Sequence, residues 1–212
     1  LFIWNITQSI KRDTTVMDKQ ISYPWREENG GAPYYLMFLK DENTLITELQ
    51  SFPLNDKEAT LPVYQKRTLD TNKLLKSFSS YKKSIRNDEA SILPESFFYS
   101  NDAIKPDGTK VVQAMVHLAQ LNILDLETGH VSGYRLEGEP DFSVFKSDEK
   151  IKSYFTRVQA DDNYIYAVYW GKERWERFET PHMNIIHVYD WDGNLIQKIE
   201  TDYSIGQMWI DP

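Results

Sequence analysis

The pattern of hydrophobic and polar positions between residues 154 and 200 predicts four short β-strands in succession. Phe155–Ala160 alternates in the way a half-buried strand does, and Tyr164–Tyr169 is aromatic and β-branched. Asn184–Asp190 and Leu195–Ile199 flank the pair Asp192-Gly193. An Asp-Gly pair between two apolar runs is the strongest short-range signal for a hairpin. The stretch is therefore predicted to be a four-stranded antiparallel meander, with strands named a to d in chain order.

The same order of turns recurs along the chain. Turns between strands c and d are marked by Asn5, Thr68, Asp125 and Asp190, and those between a and b by Asp41, Asp107, Asp161 and Asp211. The two kinds alternate throughout, and each kind recurs every 50–66 residues. Asp, Asn and Gly are frequent in any antiparallel meander, which explains each turn alone but not their alternation. The alternation favours true structural repeats.

These repeats predict an all-β fold, a β-propeller of four-stranded antiparallel blades. A single meander cannot bury both its faces, and radial stacking of neighbouring blades solves that problem. Whole blades are expected at about 33–80, 94–138 and 153–200, all within one domain. A half blade is expected at 1–22, where residues 1–11 align with residues 121–131 as strand, turn and strand, and the first strand of another blade at 203–212. The chain is accordingly interpreted as a partial propeller from a longer protein.

Packing between blades is predicted from the apolar positions of strands b and c in the third blade. Ile165 and Ala167 of strand b and Ile186 and Val188 of strand c are expected to be buried between blades.

Composition narrows the range of partners. The net charge is −8 with a pI near 5.1, and no cluster of Lys and Arg stands out, which argues against nucleic-acid binding. The chain has no cysteine, so disulfides and thiolate chemistry are excluded. No apolar run approaches the roughly 18–20 residues of a membrane-spanning helix.

Few motifs indicate catalysis or metal binding. The sequence Asp190-x-Asp192-Gly193-Asn194 resembles the start of a calcium loop, but Thr201 occupies the place of the acidic ligand at position 12, so a tight hairpin is favoured. The four histidines show no HxH or HExxH spacing, and neither a GxSxG motif nor a phosphate-binding glycine loop occurs. No metal, cofactor or catalytic residue is predicted.

The most unusual segment is the connection between strands b and c of the third blade, Trp170–His182. It is long for a hairpin loop, and long ordered loops are often functional. Aromatic side chains beside arginine guanidinium groups suit the binding of a glycan or a protein partner. The same aromatic side chains could instead pack on a neighbouring blade. The predicted binding residues of this segment are Trp170, Arg174, Trp175, Arg177 and His182.

Strand a is expected to line the central channel of a propeller, which makes its side chains candidates of second rank. Those of the third blade are Tyr154 and Arg157, and those of the earlier blades are Tyr34, Tyr35, Phe97 and Tyr99.

The last blade also carries a family resemblance. The runs IYAVYWG, IIHVYDWDGNLIQKIETD and IGQMWIDP resemble the TolB-like six-bladed β-propeller proteins of Gram-negative envelopes, which repeat an "IYvfDwdGnpi" hairpin followed by an "i..iavD" strand. The match is good over about 154–212, fair over 102–136 and weak before residue 90. The resemblance implies six blades in the whole protein and a periplasmic or outer-membrane-associated location. It carries over no catalytic residues, and a lipid anchor would have to precede Leu1.

Two functions are compatible with these observations. The first, which is favoured, is a non-catalytic propeller of the bacterial cell envelope that binds a protein or glycan through one rim or serves as a scaffold. The alternative is a propeller enzyme that acts on a carbohydrate or lactone, with a divalent ion at the channel mouth.

Overall fold

The computed structural model describes residues 2–20, 34–49, 63–79, 98–146, 151–173, 176 and 183–210, without the side chains of residues 34, 35, 145 and 146. Its described strands form three four-stranded antiparallel sheets and one two-stranded sheet. In each four-stranded sheet the hydrogen-bonded order follows the chain order. The predicted all-β fold of four-stranded propeller blades is confirmed.

The N-terminal part is an antiparallel pair of strands joined through a helix. It comprises Phe2–Trp4 (β1), Ile6–Arg12 (α1) and Met17–Gln20 (β2). The Asn5 side chain accepts a hydrogen bond from the Gln8 amide at 2.9 Å and caps the helix. Asp13, with φ of 49°, ends it in the left-handed region. The expected strand at the end of residues 1–11 was wrong, because Asn at this position starts a helix instead of a tight turn.

The three complete sheets are here called blades 1, 2 and 3. Blade 1 contains Tyr34–Asp41 (β3), Thr44–Leu49 (β4), Val63–Thr68 (β5) and Leu74–Ser79 (β6). Blade 2 contains Ser100–Ile104 (β7), Lys110–Met115 (β8), Gln120–Asp125 (β9) and Val131–Arg135 (β10). A 3₁₀ helix at Phe142–Lys146 follows it. Blade 3 contains Lys152–Ala160 (β11), Tyr164–Glu173 (β12), Ile185–Asp190 (β13) and Leu195–Glu200 (β14).

The aspartates that mark the turns close them with their own side chains. Asp125 Oδ1 accepts from the amides of Glu127 and Thr128 at 3.0 and 2.7 Å. Asp161 and Asp190 do the same for the amides two residues ahead, at 2.7 and 3.0 Å. These are Asx turns, in which the carboxylate satisfies backbone donors that the strands leave unpaired. The repeat therefore has a local physical cause.

The expected first strand of a further blade, at 203–212, was wrong for residues 203–210, which form no strand. The Ile205 amide donates to the Met183 carbonyl at 2.7 Å, and Trp209 is 81% exposed. A strand requires a hydrogen-bonded neighbour, and none of the described residues provides one here. Residues 211 and 212 lie outside the described residues.

Blade 2 is packed between the other two. Its face towards blade 1 contributes Val111, Leu124 and Leu126 to a cluster with Ile46 and Phe78. Its opposite face contributes a second cluster, whose members from blade 2 include Val112, Ala114, Leu121 and Ile123 and whose members from blade 3 include Phe155, Ile165 and Ala167. Both faces of blade 2 are thus removed from water, as radial stacking requires.

Two turns place a glycine against an aromatic ring of the preceding blade. Gly193 has φ of 83°, and a Cβ at this position would overlap the Tyr134 ring of β10. Gly129 has φ of 80°, and its Cβ would lie 3.1 Å from Phe78 Cδ1 of β6. Glycine is needed at both positions for the turn conformation and for the close approach of the next blade.

The cross-strand register places the four residues predicted to be buried between blades on two opposite faces of blade 3. Ile165 and Ala167 are fully buried against blade 2. Ile186 pairs with Val168, a position of the opposite parity, and therefore lies on the face turned away from blade 2, where it is half-buried. Val188 shares that face and is 5% exposed. Ile165 and Ala167 are therefore buried between blades as expected, whereas the expectation was wrong for Ile186, which is half-buried on the opposite face.

Ile165→Ala is expected to lower the free energy of unfolding by about 2–5 kcal/mol, because it opens a cavity between blades 2 and 3. Ile186→Ala on the other face removes a half-buried side chain and should cost about 1 kcal/mol. Urea titrations of the two variants measure both values. Equal losses would contradict the assignment of the two faces.

Candidate functional site

The loops of the blades divide between two ends. The a–b and c–d turns lie at one end, here called the turn rim, and the b–c loops and the connectors between blades lie at the other, the loop rim. In blade 3, Lys152 at the start of β11 pairs with Glu173 at the end of β12. Glu173, the last residue of β12, therefore lies at the loop rim beside the start of β11.

A pocket of about 330 Å³ lies at the loop rim between blades 2 and 3. It is lined by His117 from the b–c loop of blade 2, by Gly138, Glu139, Pro140 and Val144 from the connector, and by Lys152 and Tyr154 from β11. The Tyr154 amide donates to the Val116 carbonyl at 2.7 Å, which joins β11 to the end of β8. The pocket is therefore built on the contact between two blades, and its backbone walls are fixed by hydrogen bonds.

On the polar wall of the pocket, the Glu139 carboxylate accepts hydrogen bonds from tyrosine hydroxyls. Tyr154 Oη donates to Glu139 Oε2 at 2.9 Å, and Tyr169 Oη approaches Oε1 at 3.5 Å. The two tyrosine rings are 6.3 Å apart and tilted by 45°. Burial, together with the charge of Glu139, raises the pKa of Tyr169, so its hydroxyl remains protonated as a donor. The carboxylate is held in one orientation while the pocket stays polar.

A buried histidine supports this wall from behind. The His187 ring stacks on Tyr169 with centroids 4.3 Å apart and planes 12° from parallel. Its Nδ1 lies 3.1 Å from Tyr189 Oη. Burial, and to a smaller extent the charge of Lys198, lowers the pKa of His187 to about 4. The ring is therefore neutral at physiological pH, and it positions Tyr169 without adding charge to the site.

The predicted site residues fall in different places. Tyr154 forms part of the pocket wall and is 2% exposed, whereas Trp170 is buried with 7% exposure. Arg157 is exposed and donates to the carbonyls of Thr156 and Gly206, at 2.6 and 3.3 Å. The predicted residues outside the described part of the structure are Arg174, Trp175, Arg177 and His182.

Of the second-rank candidates in the earlier blades, Tyr99 is the one whose side chain the structure describes, and it is 41% exposed. Phe97 and the side chains of Tyr34 and Tyr35 lie outside the described residues.

The sequence did not indicate the other lining residues. His117, Glu139 and Lys152 are separated by 13 or more positions and share no motif. The one local signal is Gly138-Glu139-Pro140, in which a charged residue lies between two turn-forming residues at the start of the connector. Such a signal marks a loop but does not indicate where its carboxylate points.

Groups of three or more His, Cys, Asp and Glu ligands and long apolar helices are both absent from the described part of the chain. There, no group of three or more His, Cys, Asp and Glu side chains is arranged to hold a metal ion. Within the same residues, no helix has both the length and the hydropathy needed to cross a membrane.

The model of one protein family matches most of the chain. That family is described as TolB-like 6-blade propeller-like, and the match covers residues 54–212. It includes blades 2 and 3 and the second half of blade 1. No curated protein sequence matches the chain.

Solved structures that resemble the chain include several propellers at low identity. The WD40 repeats of RRP9 match with 8% identity and a TM-score of 0.42, over 76% of this chain and 36% of that one. The Pyrococcus horikoshii acylaminoacyl peptidase matches with 16% identity and a TM-score of 0.46, over 85% of this chain and 27% of that one. The Cps50 (Swd1) propeller domain of Myceliophteria thermophila matches with 9% identity and a TM-score of 0.43, over 94% and 53%. The chain thus spans about a quarter to a half of the length of these structures.

The imidazole of His187 is expected to titrate with a midpoint near pH 4, because protonation would place a charge in the packed interior beside Tyr169. The ordinary pKa of histidine is about 6.5, so stability from the neutral ring is complete above that value. It is lost as the pH falls from about 6.5 through about 4. An NMR titration of the ring carbon-bound protons measures the midpoint directly. A midpoint at or above about 6.5 would contradict the buried stack.

Proposed function

Because the chain belongs to the TolB-like six-bladed propeller-like family, we propose that it is a non-catalytic binding propeller of the bacterial cell envelope. The ligand occupies the pocket at the loop rim between blades 2 and 3. The observation that carries this proposal is the Glu139 carboxylate, which two tyrosine hydroxyls hold in place within a cavity of about 330 Å³. An acceptor fixed before the ligand arrives lowers the entropic cost of binding.

The size and polarity of the pocket favour a glycan over a protein surface as its occupant. A cavity of this volume lies at the small end of ligand pockets, which suits one or two sugar rings. A stable protein partner would instead need roughly 800 Å² on each side. Glu139 can accept hydrogen bonds from sugar hydroxyls. Lys152 also lines this opening, as does His117, whose Nδ1 lies 3.3 Å from the Lys152 carbonyl oxygen. A protein partner at the surrounding rim is the second possibility.

The pocket by itself offers little for hydrolysis. Glycoside hydrolysis commonly uses a pair of carboxylates. Glu139 is the one acid among the described residues that line the pocket. The enzyme alternative therefore gains no specific support from this site.

The envelope location rests on the family alone. A periplasmic or outer-membrane-associated propeller would meet cell-wall and surface polysaccharides, which agrees with a glycan ligand. Fractionation of cells that produce the full-length protein tests the location, and recovery in the cytoplasmic fraction would contradict it.

Glu139→Gln is expected to weaken glycan binding by at least about tenfold, because the neutral amide replaces a charged acceptor worth about 1.5–3 kcal/mol per hydrogen bond. The amide oxygen can still accept from Tyr154, so the fold should be retained. An array of bacterial envelope polysaccharides, probed with labelled wild-type protein, identifies the glycan. Calorimetry with the retained glycan then gives the affinities.

Glu137→Gln is the matched control, since Glu137 is exposed in the same connector and does not line the pocket. It should bind as the wild type does. Retention of no glycan by the wild-type protein, or equal binding by the Glu139 and Glu137 variants, would contradict the proposal.

The long b–c connection of blade 3 provides a separate prediction. Trp175→Ala is expected to reduce the affinity for the ligand by about thirtyfold, because an interface tryptophan contributes about 2 kcal/mol to binding. The Tm should change little. Trp170→Ala is the matched comparison, because Trp170 is buried. Loss of that ring should lower Tm by roughly 6 °C or more. Thermal melts and binding measurements on both variants test this, and a large fall in Tm for Trp175→Ala would exclude the connection from the binding surface.

A further inference from the structure

The interface between blades 1 and 2 contains a buried polar cluster. The apolar residues there include Ile46, Phe78, Val111 and Leu124. Among them lie four side chains with polar atoms, here called the interblade acidic site: Glu48, Tyr64, Asp102 and Gln113. Glu48 is 1% exposed, Tyr64 and Gln113 are 0% exposed, and Asp102 is half-buried. Such groups are costly to bury unless each finds a partner.

The strand register brings the four side chains together. Glu48 of β4 pairs with Tyr64 of β5, and Asp102 of β7 pairs with Gln113 of β8. Directly opposed residues on one face have Cβ atoms about 4.5–5.5 Å apart. Tyr64 Oη donates to Asp102 Oδ2 and links the two pairs across the blade boundary. One blade therefore contributes Glu48 and Tyr64, and the next contributes Asp102 and Gln113.

Among the described residues, two members of the site have no hydrogen-bond partner. Both carboxylate oxygens of Glu48 and both terminal atoms of the Gln113 amide are buried and unpaired. Asp102 accepts from Ser100 Oγ at 2.6 Å in addition to Tyr64. Nearly all buried polar groups in proteins are hydrogen-bonded, so a carboxylate and an amide left unpaired in the same interface require an explanation.

The local charge balance is negative. Burial first, and then the charge of Asp102, raises the pKa of Glu48 to about 9. Burial raises the pKa of Asp102 to about 6, although the hydrogen bonds from Ser100 and Tyr64 lower it. Lys40 and Lys66 of blade 1 form ion pairs with Glu127 on the surface, at 2.6 and 3.0 Å. Among the described residues, no cation contributes to the pKa shifts of Glu48 and Asp102.

We propose that the interblade acidic site binds a divalent cation, with Ca²⁺ the best fit. The available ligands are all oxygen atoms: two carboxylates, the Gln113 Oε1 atom and the Tyr64 hydroxyl. Hard cations prefer such ligands, and two carboxylates neutralise a charge of +2. Ca²⁺ accepts bidentate carboxylates and irregular geometry, whereas Mg²⁺ requires a near-ideal octahedron and retains several waters. Direct ligation by buried side chains therefore favours the larger ion.

The cation would connect blades 1 and 2. It binds Glu48 from one blade and Asp102 and Gln113 from the other, so separating the blades would break its coordination. Binding to the folded state alone stabilises that state by mass action. The site is independent of the loop-rim pocket, because it shares no residue with the pocket lining.

The test uses the protein treated with EDTA and then titrated with CaCl₂ at pH 7.5 by calorimetry and thermal melting. The expected result is one ion per chain, a saturable rise in Tm and weaker binding of MgCl₂. Glu48→Gln and Asp102→Asn are each expected to raise the dissociation constant for Ca²⁺ at least tenfold. Glu127→Gln is the matched control, since Glu127 also bridges blades 1 and 2, and it should bind Ca²⁺ as the wild type does.

A pH series distinguishes a bound cation from a shared proton. In EDTA, the free energy of unfolding should fall as the pH rises from about 4 to about 9, because both folded pKa values exceed their ordinary values. Saturating Ca²⁺ should remove this fall, since it holds both acids ionised. Absence of Ca²⁺ binding by the wild type, or equal Ca²⁺ stabilisation of the wild type and both acidic-site variants, would overturn the proposal. Stabilisation by Glu48→Gln together with no Ca²⁺ binding would identify a protonated carboxyl pair instead.

Discussion

The structure depends on the packing of each blade against the next. A four-stranded meander has two faces, and blade 2 is the one described blade with a neighbouring four-stranded sheet on each of them. That arrangement requires a close approach of the sheets, which the glycines of the c–d turns permit against Phe78 and Tyr134. It also concentrates any polar side chain on a blade face into a buried interface. The apolar clusters, the interblade acidic site and the loop-rim pocket all follow from this stacking.

The two rims have different physical roles. At the turn rim, the aspartate carboxylates accept hydrogen bonds from backbone amides of their own turns, as those of Asp125 and Asp161 do. These groups are committed to local structure. At the loop rim, Glu139 is held by tyrosine side chains and faces a cavity. The difference in hydrogen-bonding partners is the physical reason for placing ligand binding at the loop rim.

The sequence alone was sufficient to predict strands and turns whose structure depends on neighbouring residues. Strand alternation and Asx turns depend on neighbouring residues, which is why the strands near Asp161 and Asp190 could be predicted. Asn5 shows the limit of local inference, because an Asn side chain can close a turn or cap a helix with the same acceptor atom. Residues 203–210 show another limit, since a strand also requires a partner strand.

The polar sites could not be predicted because they assemble across blades. Glu48 and Asp102 are 54 positions apart and meet only when blades 1 and 2 stack. Glu48 does interrupt an otherwise uncharged strand, and that is a usable signal for a buried acid, but it does not identify the second one. The face of Ile186 likewise depends on its pairing with Val168 and not on its hydrophobicity.

The proposed function depends on glycan binding at the pocket lined by Glu139, Tyr154, Lys152 and His117. The most direct measurement is a crystal structure of the protein soaked with a mixture of bacterial envelope monosaccharides. We expect one sugar in this pocket, with a ring hydroxyl donating to Glu139. Sugar density at the turn rim with the pocket empty, or no bound sugar at all, would contradict it.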